Sequence, residues 1–562
     1  MAKNNRPPGK KKIHLPALAL LIGILVFTSL LYLKSLKGEF LNYDDADNVV
    51  NNGLIRQFSP DYLVQLFSHS YLYMYAPLTF ITYALDFYIS GLDPFYFKLT
   101  NLVLHLCNVT LIFLLAQQIF KNKLTAALMA LLFAIHPLNV DTVSWISARS
   151  NLLATLFFFL ALLFYMQYLE KKRTTWLIMV VVSFFLSLLS KSAGIMLPLT
   201  LLLIDYLIKR KITRKVILEK LPVFFLSFVF GLVALYFRSD SGNPESVMEY
   251  NLFDRFLMIC YALTGYLFRT VLPFYLSAIY AYPVKNGIFL PYLYYLTPVL
   301  LAGMIFVVSR LNTLKHEVIF GLLFFFVNIL LTQLGLLEDG FMANRYGYLP
   351  CIGLFFIISA GFDQFRMDSK MVKNISLIPI GFLLLLFSVM TYQRSQLWKN
   401  NLTLFNDAVE HSPGSAFAYN NRGIARYSEN DMEGAVSDYN HAITIFPRYS
   451  GAYYNRGIAY YSMQEFSMAK TDYSMAIDLN PKFASCYAAR GILQMDVLQN
   501  DSLALNDYNM AIMLNPTMAQ AYYNRGILRL RMKNIQMACE DFHQVRRLGY
   551  TRADDLIRQF CE

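Results

Sequence analysis

Residues 419–447 read YNNRGIARYSENDMEGAVSDYNHAITIFP, and their pattern returns three times downstream. Gly423, Gly457, Gly491 and Gly526 recur every 34 or 35 residues in the context N-R-G-I or A-R-G-I. Ala435, Ala469, Ala504 and Ala538 follow 12 or 13 residues after each glycine, and Tyr439, Tyr473, Tyr508 and Phe542 stand four residues further on. Pro447, Pro481 and Pro516 close the first three units. A small residue on one helix lets a second approach closely, an aromatic ring fills the remaining groove, and proline ends the second helix because it lacks an N–H. The period therefore predicts stacked helix pairs, an α-solenoid in which no unit is stable without its neighbours.

This arrangement resembles tetratricopeptide (TPR) repeats, with units at 416–449, 450–483, 484–518 and 519–552 inside a C-terminal domain at 401–562. The fourth unit departs from the pattern at Val545 and Tyr550, and a last helix near 551–560 is expected to cap the array. Such arrays present a surface to a protein or peptide, so a protein acceptor or partner is implied without its identity.

Working outward, residues 1–400 have a different character. The whole chain of 562 residues is 56% hydrophobic and 15% charged, too apolar for soluble domains alone. Of its formal charge of +12, residues 1–400 contribute 34 basic against 20 acidic residues, and residues 401–562 contribute 15 against 17. A basic nucleic-acid-binding tail is thereby excluded, and the basic residues belong to membrane topology. Six cysteines at 107, 260, 351, 486, 539 and 561 include no CxxC pair, so neither a zinc site nor a disulfide framework is signalled.

Lys10, Lys11 and Lys12 precede an apolar run over 13–33, which is long enough to span and has no A-x-A cleavage site. We expect a retained signal anchor. Further apolar stretches near 98–119, 123–137, 151–169, 176–190, 193–208, 221–237, 291–309, 317–336, 345–362 and 374–391 bring the expected number of spans to about eleven. Segment 256–272, flanked by Arg255 and interrupted by Arg269, reads as interfacial or re-entrant. With residue 1 inside, the inner loops carry 21 of the 34 basic residues, in keeping with the enrichment of Lys and Arg in cytoplasmic loops. A twelfth span would place Arg310, Arg366, Lys370 and Lys373 on the outer side. Residues 34–97 and the repeats are then expected on one outer face.

The expected outer loops hold the chemistry. The first contains FLNYDDADNVVNN, with adjacent Asp44 and Asp45; a carboxylate held at the membrane surface can act as a general base on a hydroxyl. The same pair would also serve a solvated turn, which Asp47, Asn48, Asn51 and Asn52 favour. HPLNVDTVSWISARSN offers His136, Asp141 and Arg149, LSKSAG offers Lys191, and ANRYGYLP offers Arg345, Tyr346 and Tyr348. Each cation alone reads as an interfacial anchor. Several converging beside the acidic pair would make a phosphate-binding cavity next to a base.

These stretches, together with YAPLTFITYALDFYISGLDPFYFKLTNLVLHLCN, resemble the GT-C glycosyltransferases that use polyprenyl-phosphate sugars, and most closely their transmembrane and TPR-containing O-mannosyltransferase-like branch. The resemblance implies an all-α, polytopic GT-C-like bundle followed by the solenoid. It also implies inverting transfer of a sugar, with mannose the first to test, from a polyprenyl-phosphate donor to a hydroxyl on an exported protein. Asp44 and Asp45 match the family's acidic pair, with Asp44 expected as the base. His136, Arg149, Lys191, Arg345 and Tyr346 match positions expected to hold the donor phosphate, and Asp141 a supporting one. Ala76, Asp141 and Ser192 depart from the polar residue, Glu and Glu usual in relatives. No metal is required by this chemistry, although some relatives use a divalent ion.

A non-catalytic membrane-anchored TPR scaffold would share the topology without needing the polar loops. A transporter would place ionisable groups near the bilayer midplane, where only His105 stands out. An O-antigen ligase-type enzyme would not carry the Asp pair directly after the first span. The reading favours a bacterial inner membrane with periplasmic repeats, with an endoplasmic reticulum membrane and lumenal repeats as the alternative of identical topology.

Overall fold

The computed structural model describes residues 16–56, 60–68, 75–238, 250–334, 341–368 and 377–562. Lys10, Lys11, Lys12, Lys370 and Lys373, which entered the topology reading, lie outside them. Among the described residues the chain is helical without named strands, and it divides into two compact units, Met1–Leu404 and Phe405–Glu562.

The first unit is a bundle of apolar helices. Pro94–Phe120 packs on both Lys123–Ala134 and Arg149–Lys171, which in turn packs on Thr174–Ser190. Lys315–Leu334 and Cys351–Asp368 cross where two glycines meet: a Cβ on Gly353 would lie 2.2 Å from the Gly321 carbonyl oxygen, so only glycine permits this approach. His105 is buried between Tyr348 Oη (2.7 Å) and the Ala134 carbonyl (3.1 Å), a hydrogen-bonded packing residue.

The expected count of about eleven spans is not reached by length and composition. Six described helices are long and apolar enough to cross a bilayer, and Lys123–Ala134 with Pro137–Ser144, bent by 50°, adds a seventh if it is one span. Thr174–Ser190, Ser192–Leu207, Leu221–Phe237 and Cys351–Gln364 are apolar but shorter. The shortfall is one of length: the expected stretches 176–190, 193–208, 221–237 and 345–362 form these shorter helices, and 123–137 runs into the break at His136-Pro137. Leu252–Val271 is not among the spanning helices. It buries Leu257, Met258, Ala262, Leu263 and Tyr266 on one face and exposes Phe253, Phe256 and Phe268 on another.

The second unit is the solenoid. Its helices pair as Ala416–Ser428 with Met432–Ile445, Ser450–Ser462 with Phe466–Leu479, Ala484–Asp496 with Asp501–Leu514, and Ala519–Arg531 with Ile535–Arg547. A Cβ on Gly423, Gly457, Gly491 or Gly526 would come within 2.5–2.8 Å of the ring of Tyr439, Tyr473, Tyr508 or Phe542, so glycine and aromatic are one packing device. A ladder of ion pairs runs beside it: Arg422 to Asp438, Arg456 to Asp472, Arg490 to Asp507 and Arg525 to Asp541, each arginine binding both carboxylate oxygens.

One expectation is corrected here. Cys539 and Cys561, 22 residues apart, form a disulfide. The absence of CxxC spacing could not reveal it, because Asp554–Phe560 folds back on Ile535–Arg547 and brings the two cysteines together in space.

Candidate functional site

The Asp pair sits in a short turn after the first helix, and the two carboxylates have different surroundings. Asp45 is fully buried: Oδ1 accepts from Ser147 N–H (2.9 Å) and Ser147 Oγ–H (2.6 Å), and Oδ2 accepts from Leu41 N–H (3.0 Å). Burial pushes its carboxyl up to about 6 against the pull of these bonds and of Lys98. Asp44 points the other way and is exposed, with φ at 71°, in the left-handed region that a non-glycine residue enters at a cost. Among the described residues, no hydrogen bond or ion pair engages its carboxylate. Protein atoms crowding round it raise its pKa, Arg345 and Lys191 pull it down, and Asp47 pushes it up.

The wall beside Asp44 is aromatic. Tyr43 stacks on Trp145 with ring centres 4.6 Å apart, Trp145 Nε1–H donates to the Tyr43 carbonyl (2.8 Å), and Trp398 stacks behind at 5.8 Å. The segment 398–401 is stitched to this loop as well. Asn42 N–H donates to Asn401 Oδ1, Glu39 N–H to the Lys399 carbonyl, and the buried Lys98 Nζ to the Trp398 carbonyl. A loop that is polar in sequence is thereby held by Trp145 and by segment 398–401.

Two cations face Asp44. The Arg345 guanidinium lies over Trp145 (4.8 Å), Tyr346 (5.1 Å) and Tyr43 (5.7 Å), and its Nη1 donates to Tyr43 Oη at 3.3 Å. Lys191 Nζ lies over the Tyr346 ring (5.3 Å) and donates to Asn151 Oδ1 (2.9 Å). Among the described residues, neither cation has a carboxylate within ion-pair distance. Burial, with Arg345 nearby, lowers Lys191 to about 7, and Asp44 opposes the shift. Both cations line a cavity together with Asn151, Thr155, Asn328 and Tyr346.

The structure therefore brings Asp44, Lys191, Arg345 and Tyr346 together and sets the other expected site residues apart from that cluster. Asp141 lies behind it: its Oδ2 accepts from Asn344 Nδ2 (2.8 Å) and Oδ1 pairs with Arg394 (3.4 Å), so it steadies the turn that carries Arg345. His136 is fully buried, with Nδ1 accepting from Leu138 N–H (3.2 Å) and Nε2 donating to the Thr270 carbonyl (3.0 Å). Both ring nitrogens are used by backbone, and none is left for a phosphate. Arg149 is fully buried too, paired with Asp86 at 2.6 Å, donating to Asn101 Oδ1 and the Phe97 carbonyl, and stacked on Tyr83. The geometry makes it a brace between helices. Tyr43, Trp145, Asn151 and Trp398 were not foreseen; Tyr43 beside the Asp pair and Trp145 inside HPLNVDTVSWISARSN were the signals available. Among the described residues, no three His, Cys, Asp or Glu side chains gather as a metal site.

Comparison with known proteins gives the same architecture. Residues 75–237 match the model of dolichyl-phosphate-mannose-protein mannosyltransferases, and residues 423–464 and 450–483 match tetratricopeptide repeat models. Protein O-mannosyl-transferase F38B6.6 of Caenorhabditis elegans is 26% identical over 420 residues, which cover 71% of this chain and 59% of the relative. Protein O-mannosyl-transferase TMTC3 of Homo sapiens is 23% identical over 475 residues, 75% of this chain and 51% of the relative. Human TMTC1 is 36% identical over a shorter stretch of 156 residues, 25% of this chain and 17% of the relative. The chain thus spans only part of the length of the curated relatives it matches. In sequence the chain is similar to these protein O-mannosyl-transferases, and in its C-terminal part to tetratricopeptide repeats.

Proposed function

We propose that this protein transfers a sugar, mannose in the first instance, from a polyprenyl-phosphate donor to a hydroxyl of a protein acceptor at the outer membrane–water interface. The observation that carries the reading is the Asp44 carboxylate, unpaired among the described residues, facing two cations, Lys191 and Arg345, that among the same residues have no carboxylate within ion-pair distance. In the step, Asp44 takes the proton from the acceptor hydroxyl and the oxygen attacks the anomeric carbon. A new C–O bond forms on the face opposite the leaving group, and the anomeric carbon–phosphate oxygen bond breaks. The negative charge that develops on the departing polyprenyl phosphate is stabilised by Lys191 and Arg345. Asp45 holds the loop, and the repeats dock the acceptor. The test is transfer by the purified, reconstituted full chain from a short-chain polyprenyl-phosphate mannose to exported proteins, read by mass spectrometry. Partner capture without donor binding or transfer would favour the scaffold instead.

Residues 34–97 and 401–562 belong on the same, non-cytoplasmic face in this proposal. Reporter fusions after residues 56 and 410 are expected to behave alike and opposite to a fusion near residue 213. A cytoplasmic signal at 410 would overturn the topology.

Replacing Arg345 with Ala is expected to weaken donor binding by about 1.5–3 kcal/mol, the value of a charge-assisted contact, and Arg345→Lys to restore only part of it. Unchanged donor affinity would make Arg345 a structural residue of the aromatic stack.

Donor affinity also carries a pH signature. The donor phosphodiester keeps one negative charge over the neutral range, whereas free Lys191 titrates near 7 and a bound phosphate raises that value. Binding then takes up a proton above pH 7, so affinity is flat below it and falls by up to roughly tenfold per pH unit above it. Lys191→Arg, which stays charged, is expected to flatten the profile. A flat profile in the wild type would remove Lys191 from donor binding.

A further inference from the structure

Asn151 lies in the first turn of Arg149–Lys171, two residues past the brace arginine and 7% exposed. Its side-chain Nδ2 donates to the Ala148 carbonyl at 3.3 Å, which fixes the amide so that Oδ1 faces the cavity and accepts from Lys191 Nζ at 2.9 Å. The lysine sits at the opening between two helical segments, Thr174–Ser190 and Ser192–Met196, with extended backbone and no other hydrogen-bond acceptor among the described residues. The groups around it are Arg345 and the Tyr346 ring from the facing turn, Asp44 from the first loop, and Tyr348, which lines the same cavity but whose hydroxyl is shared with His105 and accepts from Asn108 Nδ2–H.

A half-buried lysine such as Lys191 is usually held by a carboxylate, which also cancels its charge. Here the holder is an amide, isosteric with aspartate, which fixes direction and leaves the charge whole. We propose that Asn151 is a positioning residue that aims the Lys191 ammonium at the donor phosphate while keeping it uncompensated. This rests on the phosphate-donor reading above, and it explains why an otherwise unassigned asparagine stands between the helix brace and the cavity. An acidic residue at this position would satisfy the lysine and compete with the phosphate for it.

Asn151→Asp is the diagnostic variant because it changes charge and not shape. In full-length protein in detergent, the rate at which a water-soluble amine reagent labels Lys191 is followed by peptide mass spectrometry from pH 6 to 10. The midpoint, expected near 7 in the wild type, should rise by at least one pH unit in Asn151→Asp. Binding of short-chain polyprenyl-phosphate mannose without acceptor should weaken by roughly tenfold or more. Asn151→Leu, which removes the acceptor without adding charge, should weaken donor binding without raising the midpoint, and thermal melting confirms that each variant is folded. An Asp variant with wild-type midpoint and donor affinity overturns the proposal. A wild type whose Lys191 shows the low midpoint and the Asp-induced rise, but which binds no phosphodiester, would instead sink the donor reading and leave Asn151 holding the lysine for another anion.

Discussion

Asp44→Asn is expected to lose about 10²–10⁴ in transfer rate, the range of general-base catalysis, while binding donor and melting as the wild type does. The separation of effects follows from the local structure. Asparagine is among the few residues that tolerate the left-handed backbone at φ 71°, so the turn is kept. No hydrogen bond of the Asp44 carboxylate is sacrificed among the described residues, so stability should change by no more than about 0.5 kcal/mol. What disappears is basicity. Asp45→Asn should behave differently, because three donors converge on its two oxygens and one amide oxygen cannot serve them all. Its cost, about 1–3 kcal/mol for a donor left unsatisfied, should appear as a lower melting point. At donor concentrations well below saturation the wild-type rate should rise with pH as Asp44, whose pKa is raised, loses its proton, and fall above about 7 as free Lys191 loses its own. Asp44→Asn should remove the rising limb. Near-normal transfer by Asp44→Asn beside an inactive but folded Asp45→Asn would reverse the assignment, and normal transfer by the double variant would take the loop out of catalysis.

The parts of the molecule that were legible in sequence are those in which period equals geometry. A glycine and an aromatic sixteen or seventeen residues apart, repeated four times, can meet only if two helices fold against each other, and they do at Gly423 and Tyr439 and its equivalents. Runs of apolar residues likewise announce a bilayer. Loop polarity was less informative. Arg149 and Lys191 look alike in sequence, each a cation beside a helix end, and what separates them is a partner far along the chain. Asp86, 63 residues before Arg149, consumes its charge, whereas the hydrogen bond of Lys191 goes to the neutral Asn151. His136 fails for a related reason, since a histidine before proline caps a turn as readily as it binds an anion. The aromatic floor of Tyr43, Trp145 and Trp398 joins residues more than 350 positions apart, and no local pattern contains it. The span count suffered because an apolar run does not show how much of it is helix: Thr174–Ser190, Ser192–Leu207, Leu221–Phe237 and Cys351–Gln364 are apolar throughout and shorter than the six spanning candidates.

Removing Arg149 is expected to act on folding and leave donor recognition to the residues that face the cavity. The guanidinium is fully buried and serves Asp86, Asn101 and the Phe97 carbonyl at once, joining Pro77–Ser90, Pro94–Phe120 and the start of Arg149–Lys171. Asp86 has a second contact through Oδ1, which accepts from Thr100 at 2.8 Å, but its Oδ2 depends on Arg149. Arg149→Ala leaves that oxygen charged and dry, which typically costs about 3–5 kcal/mol, enough to lower the yield of folded protein sharply. Arg149→Lys should recover part of the loss, because one ammonium can reach Asp86 but cannot reproduce the fork that also holds Asn101. Arg149→Met with Asp86→Leu removes the charges as a pair and should melt closer to the wild type than either single change does. Folded protein recovered from any of these variants should bind donor within a few-fold of the wild type, in contrast to Arg345→Ala. A stable Arg149→Ala protein that no longer binds donor would show that the guanidinium turns to the phosphate after all, and that Asp86 holds it only while the site is empty.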